Sequence, residues 1–234
     1  MKTAFMITSA LNTKFGVYTT EQRLEQTLAT VASIRAKVPD ALIIAVEMAG
    51  IPPSEEQRAV MTAHVDEYVV MSDDPDVVGI YNSTDNWDIV KNTTEVMCFS
   101  RALRQLLNKL ATVDRVFKIS GRYTLSDDFT LDNFADLSKI MVATRRNTQF
   151  GAQVTGGIVQ QYMSRLWSWP VNKTADVIKA YEDGFLYIAW RIAEGGYCDI
   201  EHMLFKFLPA DAIQEIPRVG IQGNIAPNGQ AIID

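Results

Sequence analysis

The sequence predicts an α/β protein with a Rossmann-like, mainly parallel sheet. Three observations lead to this fold class: strand and helix patterns alternate strictly up to about residue 123, the predicted strands are largely apolar, and two helices begin at capping boxes. At 234 residues the chain is long enough for one domain with a large core. We expect helices on both faces of the sheet and a mixed C-terminal half, because the alternation becomes irregular there.

The first half contains four strand patterns separated by helical ones. The helices are recognised by apolar residues at helical spacing behind a capping residue, and the strands by short apolar runs. The segment at 77–92 lacks a steady period and is expected to be a loop. The elements are a strand at 4–10, a helix capped by Thr19, a strand at 41–46, a helix capped by Ser54, a strand at 68–71, the loop at 77–92, a helix capped by Thr93 or Thr94, and a strand at 115–123.

The second half contains shorter elements. Strand patterns occur at 140–143 and 156–159, and a helix is expected from Thr174 to the Gly195-Gly196 pair. A short helix at 200–208 precedes a tail in which Asn228-Gly229 predicts a hairpin turn. The aromatic residues Tyr162, Trp167 and Trp169 could stack on a sugar, but core packing is the preferred interpretation.

Composition limits the classes of function. Hydrophobic residues make up 47% and charged residues 21%, with a net charge of −6 and a pI near 5.0. A nucleic-acid-binding protein is not expected, because it needs a positive surface. The sequence shows no apolar run long enough for a transmembrane segment and no signal-peptide pattern, so we expect a cytoplasmic protein. Cys98 and Cys198 lack metal-site spacing.

The segment from Phe117 to Phe129 is the most informative part of the chain. It reads as a buried strand that leads into a polar turn with Arg122, Asp127 and Asp128. In open α/β sheets, ligands bind beyond the carboxyl ends of the strands, and an arginine there suits a phosphate. Two alternatives remain: Arg122 is paired with Asp127 or Asp128, and the two aspartates form a simple turn instead of a divalent-cation site.

Other polar residues follow the predicted strands. Ser9, Glu47 and Ser72 end the first three strands, so they should meet at one rim of a parallel sheet. Lys91 precedes the helix expected at Thr93 and is a candidate phosphate ligand. The ordinary alternative is that Ser9, Glu47 and Ser72 only form turns at the strand ends. For Lys91 it is a lysine exposed to solvent.

A third group of candidates is Asp199-Ile200-Glu201-His202. His202 and a neighbouring carboxylate could serve as a general base, stabilise a leaving group or bind a metal. The alternative is a helix start in which Asp199 is the N-cap and Glu201 complements the helix dipole. The chain contains no dinucleotide-binding, P-loop, serine-hydrolase or zinc-protease motif, so those enzyme classes lose their usual support.

Several of these segments together carry a resemblance to a known family. They are Thr8-Ser9-Ala10, the helix at 23–34, Pro39-Asp40-Ala41, the Lys-Ile-Ser-Gly-Arg-Tyr run at 118–123, Asp199-Ile200-Glu201-His202, Gly220-Ile221-Gln222-Gly223 and Asn228-Gly229. With them the chain resembles small bacterial and phage-type proteins that have a glycosyltransferase-A-like (GT-A-like) fold and are associated with surface polysaccharide synthesis. The likeness spans most of the chain.

The resemblance implies a single GT-A-like domain over residues 1–234, with a nucleotide-binding half at 1–123 and an acceptor half at 124–234. It implies transfer of a sugar from a nucleotide-diphosphate-sugar donor to a glycan or other hydroxyl acceptor. The implied roles are nucleotide binding for Ser9, Glu47 and Ser72, diphosphate binding for Lys91, Lys118, Ser120 and Arg122, and catalysis on the acceptor side for Asp199, Glu201 and His202.

One departure from the family pattern concerns the metal. Proteins of this fold usually carry an Asp-x-Asp motif after the fourth strand, where this chain has Ser120-Gly121-Arg122. Dependence on Mn²⁺ or Mg²⁺ therefore stays open. Asp127 and Asp128 are the candidate metal ligands, and Arg122 with Lys118 could instead neutralise the leaving diphosphate.

Two other functions also stay open. One is a non-catalytic GT-A-like binding or virion-associated structural protein, and the other is a nucleotidyltransferase. The sequence does not decide the donor, the acceptor or whether the chain forms a homo-oligomer. It also does not decide between a bacterial and a phage source, and a phage protein would act in the host cytoplasm.

Overall fold

A computed structural model of the chain describes residues 1–224 and 231–234. Its α-helices are α1 (Thr20–Lys37), α2 (Glu55–His64), α3 (Pro75–Ser83), α4 (Trp87–Gln105), α5 (Leu107–Leu110), α6 (Ala152–Thr155), α7 (Thr174–Ala193) and α8 (Ile200–Phe207). Its strands are β1 (Thr3–Ser9), β2 (Leu42–Glu47), β3 (Glu67–Val70), β4 (Arg115–Ser120), β5 (Tyr123–Leu125), β6 (Ile140–Ala143), β7 (Arg146–Asn147), β8 (Gln160–Gln161), β9 (Leu166–Pro170), β10 (Ile213–Ile216), β11 (Ile221–Asn224) and β12 (Ala231–Ile233).

A seven-stranded sheet in the order β10-β6-β9-β4-β1-β2-β3 forms the centre of the molecule. Every strand in it runs parallel to its neighbours except β9, which is antiparallel to both β4 and β6. Since β1 is parallel to both β2 and β4, the chain leaves the same edge of the sheet at the end of each of these strands. The predicted mainly parallel sheet with a mixed C-terminal half is confirmed.

Helices cover both faces of this sheet, as predicted. On one face, α1 and α2 pack over alternate residues such as Phe5 and Ile7 of β1. On the other face, α4, α7 and α8 pack over Ala4 and Met6. Trp167 and Trp169 of β9 are fully buried, with ring centroids 4.8 Å apart, so the core interpretation of these aromatic residues is confirmed.

The predicted loop at 77–92 is wrong, because two helices fill most of it. Asp74 caps α3 by accepting a hydrogen bond from the Asp76 amide, and Asn86 caps α4 by accepting from the amides of Asp88 and Ile89. Side-chain caps thus begin helices where apolar periodicity is weak. Lys91 consequently lies inside α4 and not before a helix N-terminus.

The caps expected at Thr93 and Thr94 are wrong for the same reason. Both residues lie within α4, where their hydroxyls donate to the carbonyls of Ile89 and Val90, one turn earlier. A threonine inside a helix commonly makes this bond, so its presence does not mark a helix start. The capping boxes predicted at Thr19 and Ser54 are confirmed.

Two strand predictions need correction. The expected strand at 156–159 is a turn, because Gly156 and Gly157 adopt positive φ angles of 69° and 92° after α6. The strand expected through residue 123 ends at Ser120, and Tyr123 begins β5 in a separate three-stranded sheet with β11 and β12. Strands in the C-terminal tail were predicted, and β11 and β12 are antiparallel neighbours. The turn predicted at Asn228-Gly229 lies outside the described residues.

None of the helices in the described part of the chain combines the length and the apolar character needed to cross a bilayer.

Candidate functional site

A cleft with an empty volume of about 760 Å³ lies at the carboxyl edge of the parallel strands. Its floor is formed by residues 8–10 at the end of β1 and by Ser120, the last residue of β4. Its walls come from the loop that leads to α1, from Met48 and Ala49 after β2, from Tyr81 of α3 and from the first two turns of α4. The cleft is therefore at the edge where ligands bind in open α/β sheets.

Three cations line this cleft: Arg23, Lys91 and Arg122. Most other lysines and arginines of the chain form ion pairs with carboxylates. Among the described residues, none of these three does. A concentration of unpaired positive charge at one place is unusual in a chain with a net charge of −6, and it favours an anionic ligand.

Arg122 occupies the turn between β4 and β5. Its Nε is buried without a hydrogen-bond partner in the described structure, and its guanidinium lies 5.9 Å from the ring centre of Tyr123. The alternative in which Arg122 pairs with a neighbouring aspartate is wrong, because Asp127 pairs with Lys37 at 2.8 Å and Asp128 with Arg218 at 3.0 Å. Arg122 therefore offers its donors to the cleft.

Asp127 and Asp128 do not line the cleft. Both carboxylates are largely exposed and form the ion pairs just described, after β5 has turned away from the central sheet. The structure thus separates these two candidate metal ligands from the predicted diphosphate site, and the turn interpretation of the pair fits their positions.

Glycine at position 121 is explained by packing. The Gly121 amide donates to the Thr8 carbonyl, and a Cβ there would lie 3.0 Å from Oγ1 of Thr27 on α1. The close approach of helix α1, and not of a ligand, accounts for the glycine.

Lys118 was a candidate diphosphate ligand, but its ammonium is completely engaged inside the protein. The side chain is fully buried, and Nζ donates to Glu95 Oε1 at 3.1 Å, to Ser120 Oγ at 2.9 Å and to the Ser164 carbonyl at 2.8 Å. An ammonium has three protons, so none remains for a ligand. Lys118 instead positions Ser120 and Glu95, both of which line the cleft.

Glu95 of α4 is the carboxylate of the cleft. Its side chain is 18% exposed and forms the ion pair with Lys118. Burial opposes ionisation of Glu95, but the charges of Lys118, Lys91 and Arg122 outweigh it and hold its pKa below the ordinary value. Glu95 is therefore an ionised carboxylate surrounded by cations.

Ser9 and Glu47 form a buried pair behind the cleft. Ser9 Oγ donates to Glu47 Oε2 at 2.8 Å, and the Leu11 amide donates to Oε1 at 3.0 Å. Burial raises the pKa of Glu47 to about 7. Ser9 lines the cleft whereas Glu47 does not, so Glu47 fixes the chain after β1 from behind.

Ser72 does not line the cleft. It is buried, and its hydroxyl has no hydrogen-bond partner in the described structure. Ser120 does line the cleft, with its hydroxyl oriented by Lys118.

The segment Asp199–His202 lies at the start of α8, behind the wall of the cleft. Asp199 caps α8 by accepting from the His202 amide, which confirms the N-cap interpretation. His202 is fully buried, and its ring nitrogens contact Asp199 Oδ1 at 2.5 Å and Thr148 Oγ1 at 2.7 Å. With both nitrogens engaged, His202 has no free position for an acceptor hydroxyl in this conformation.

Glu201 is connected to the cleft through a chain of hydrogen bonds. Ser164 Oγ donates to Glu201 Oε1 at 2.5 Å, and the Ser164 carbonyl accepts from Lys118. Burial, together with the Asp199 carboxylate, raises the pKa of Glu201. Glu201 does not line the cleft, and its pKa is shifted in the opposite direction from that of Glu95.

Sequence reasoning missed several residues of the cleft. Arg23 lies near the start of α1, and its guanidinium donates to the carbonyls of Ala10 and Phe15, so it shapes the loop after β1. Glu95 lies in the middle of a helix, where no local pattern distinguishes it. Tyr81 was predicted to lie in a loop but belongs to α3. Its hydroxyl accepts a hydrogen bond from the Lys14 amide at 3.1 Å. A charge on an otherwise buried helix face was the available signal for Arg23.

No protein-family model matches the chain, and no curated protein matches it in sequence. The solved structures that match include the crystal structure of core-mannan synthase A (CmsA/Ktr4) from Aspergillus fumigatus in its Mn/GDP form, with a TM-score of 0.53 and 11% sequence identity. The match covers 97% of this chain and 77% of that chain. The likeness confirms the GT-A-like fold predicted from the sequence. The bacterial or phage-type group stays a prediction.

The residues of the cleft do not fit a divalent-cation site. Mn²⁺ and Mg²⁺ prefer several oxygen ligands, usually including carboxylates. Within residues 1–224 and 231–234, no three His, Cys, Asp or Glu side chains are placed to hold a metal ion together. Of the described residues that line the cleft, Glu95 alone carries a carboxylate, and Lys118 occupies it.

Proposed function

We propose that the protein is a glycosyltransferase that uses a nucleotide-diphosphate-sugar donor and a glycan or other hydroxyl acceptor. The observation that carries the proposal is the unpaired Arg122, which faces a cleft at the carboxyl edge of a GT-A-like sheet beside Lys91 and Arg23. A guanidinium binds phosphate oxygens through two parallel hydrogen bonds, which suits a diphosphate.

In the proposed reaction, the bond between the sugar C1 and the diphosphate oxygen breaks, and the acceptor oxygen forms a bond to C1. The proton of the acceptor hydroxyl is released to the solvent, and the nucleoside diphosphate leaves with the bonding electron pair. Negative charge therefore grows on the diphosphate in the transition state. Arg122 and Lys91 stabilise that charge electrostatically, because their side chains are positioned in the cleft before the reaction.

The remaining parts of the cleft suit a nucleotide. Ser9 and Ser120 present hydroxyls at the strand ends, and Phe15, Tyr81 and Trp87 add aromatic surface. We assign Glu201 to the acceptor side, because Ser164 and Lys118 connect it to the floor of the cleft. Residues 1–123 would then form most of the donor site, and residues 124–234 would contribute the acceptor side.

One observation favours a second candidate, a non-catalytic nucleotide-sugar-binding protein. His202 is engaged at both ring nitrogens, Glu95 is paired with Lys118, and Glu201 does not line the cleft, so none of the described lining residues is a free carboxylate or imidazole base. A nucleotidyltransferase loses support, because Asp127 and Asp128, its candidate metal ligands, lie outside the cleft.

Binding of nucleoside diphosphates tests the proposal. We expect one or more of UDP, GDP, CDP and dTDP to bind in calorimetry, and Arg122→Ala to weaken binding about tenfold through loss of a charge-assisted contact. Because Arg122 has no partner among the described residues, the variant should change the free energy of unfolding by less than about 0.5 kcal/mol.

Arg218→Ala is the matched control, since Arg218 is an exposed arginine paired outside the cleft; its nucleotide affinity should equal that of the wild type. Absence of binding for the whole panel would overturn the proposal. Binding without release of nucleoside diphosphate from any donor sugar, over a panel of acceptors, would favour the non-catalytic candidate.

A further inference from the structure

We propose that this cleft binds the diphosphate of its ligand through Arg122 and Lys91 directly, without a divalent cation. The inference rests on the proposed function and adds to it the means by which the negative charge of the ligand is neutralised.

Few residues around the cleft could serve as metal ligands. The chain after β4 supplies Ser120, Gly121 and Arg122, and the carboxylate pair at 127–128 is engaged elsewhere. Residues 225–230, which the structure does not describe, contain no carboxylate, histidine or cysteine in the sequence. Glu201 and Asp199 do not line the cleft, and their carboxylates contact Ser164 and His202. A cation in the cleft would thus depend on Glu95.

The carboxylate of Glu95 is already paired with the ammonium of Lys118. A metal ion that took the Glu95 carboxylate would leave the ammonium of a fully buried lysine without its counter-charge. Removing one member of a buried ion pair costs much free energy, because the other charge then remains buried and uncompensated. Lys118 also holds Ser120 and the Ser164 carbonyl, so the change would disturb the floor of the cleft.

Positive charge that is not paired with a described carboxylate is already present in the cleft, on Lys91 and Arg122. Lys91 has no hydrogen bond to any described residue, and its Nζ lies 5.0 Å from the ring centre of Trp87. Lys91, Lys118 and Arg122 all lower the pKa of Glu95, so the three cations lie within electrostatic range of one point. Since Lys118 neutralises Glu95, the charges of Lys91 and Arg122 remain for a ligand.

Both phosphoryl groups of a nucleotide sugar are ionised at neutral pH, so two cations match their charge. Arg122 provides a planar fork for one phosphoryl group, whereas the ammonium of Lys91 acts as a mobile point charge. Arg23 adds a third positive charge, although its donors partly serve the carbonyls of Ala10 and Phe15.

The test is calorimetric titration with UDP, GDP, CDP and dTDP in excess EDTA and, separately, with Mn²⁺ or Mg²⁺ added. For the nucleotide that binds, we expect the Kd in EDTA to lie within about threefold of the Kd with metal. In EDTA, Lys91→Ala and Arg122→Ala should each raise the Kd about tenfold. Lys179→Ala, an exposed lysine of α7, is the matched lysine control and should bind as the wild type does.

The outcomes separate this inference from the proposed function. Binding that requires metal, or that is unaffected by Lys91→Ala and Arg122→Ala in EDTA, would overturn the inference and leave the nucleotide site standing. Absence of binding under every condition would overturn the proposed function itself. Elemental analysis of the EDTA-treated protein verifies that no tightly held metal contributes to the result.

Discussion

Lys118 and Glu95 illustrate, at the scale of single residues, how buried charges shape this cleft without contacting a ligand. Burial lowers the pKa of Lys118, and the Glu95 carboxylate partly offsets that effect. The pair therefore acts as one unit, and the loss of either member leaves the other uncompensated.

We predict that Lys118→Met lowers the free energy of unfolding by about 3–5 kcal/mol, because Glu95 then remains as an unpaired charge in a mostly buried position. The double variant Lys118→Met/Glu95→Gln should recover a large part of this loss, which urea unfolding can measure. Lys37→Met is the control: its exposed pair with Asp127 should contribute far less to stability than the pair of Lys118 with Glu95 does. Equal effects for Lys118→Met and Lys37→Met would contradict the prediction.

Glu47 should make the stability of the protein depend on pH. Its pKa is about 7 in the folded protein against an ordinary value of 4.5. Between these two pKa values, the folded state thus holds a proton that the unfolded chain releases. The resulting stabilisation is fully present below pH 4.5 and is lost as the pH rises through about 7.

We predict that Glu47→Gln removes this dependence. Between pH 5 and 8, the free energy of unfolding of the wild type should fall by about 2–3 kcal/mol more than that of the variant. Glutamine retains the oxygen that accepts from Leu11 and Ala49, so the fold should persist. Parallel pH profiles for the two proteins, obtained by urea unfolding, would show that Glu47 titrates normally.

At the scale of elements, helix α4 decides the shape of the cleft. It carries Lys91 and Glu95, and its first turn contributes Trp87 to the wall. The helix starts at an Asn86 cap that accepts hydrogen bonds from two backbone amides. Without that cap, the first turn would have unsatisfied amides next to the cleft.

We predict that Asn86→Ala costs about 1 kcal/mol of stability, the usual effect of removing an N-cap. The control is Asn82→Ala, because Asn82 is exposed on α3 and its side chain makes no hydrogen bond to a described residue. Thermal unfolding of both variants measures the difference. A cost for Asn82→Ala as large as that for Asn86→Ala would show that the cap is not responsible.

At the scale of the whole molecule, the two halves of the chain share one sheet. Strand β9 comes from the second half but lies between β4 and β6, and α4 packs against α7. A fragment of residues 1–123 would therefore expose the β4 edge and the apolar face of α4.

We predict a single cooperative unfolding transition. Tryptophan fluorescence, which reports on buried Trp167 and Trp169, should follow the same urea curve as far-UV circular dichroism. The isolated fragment of residues 1–123 should show no cooperative transition. Two separated transitions in the full chain would instead indicate two independent folding units.

The sequence by itself determined the alternation of strands and helices, the capping boxes at Thr19 and Ser54, and the edge of the sheet that carries the cleft. These features depend on local patterns: apolar periodicity and residues within one helical turn of each other. Helix α3 and the first residues of α4 were missed because their periodicity is weak, and side-chain caps begin both helices.

Only the tertiary structure decided which polar residues face a ligand. Lys118 and Arg122 are four residues apart in one motif, yet one is fully bonded inside the core and the other has free donors in the cleft. That difference depends on Glu95 and Ser164, which are distant in sequence and reach Lys118 only when α4 and β9 pack against β4. A hydrogen bond needs its partner within about 3 Å, and the folded chain alone supplies that distance.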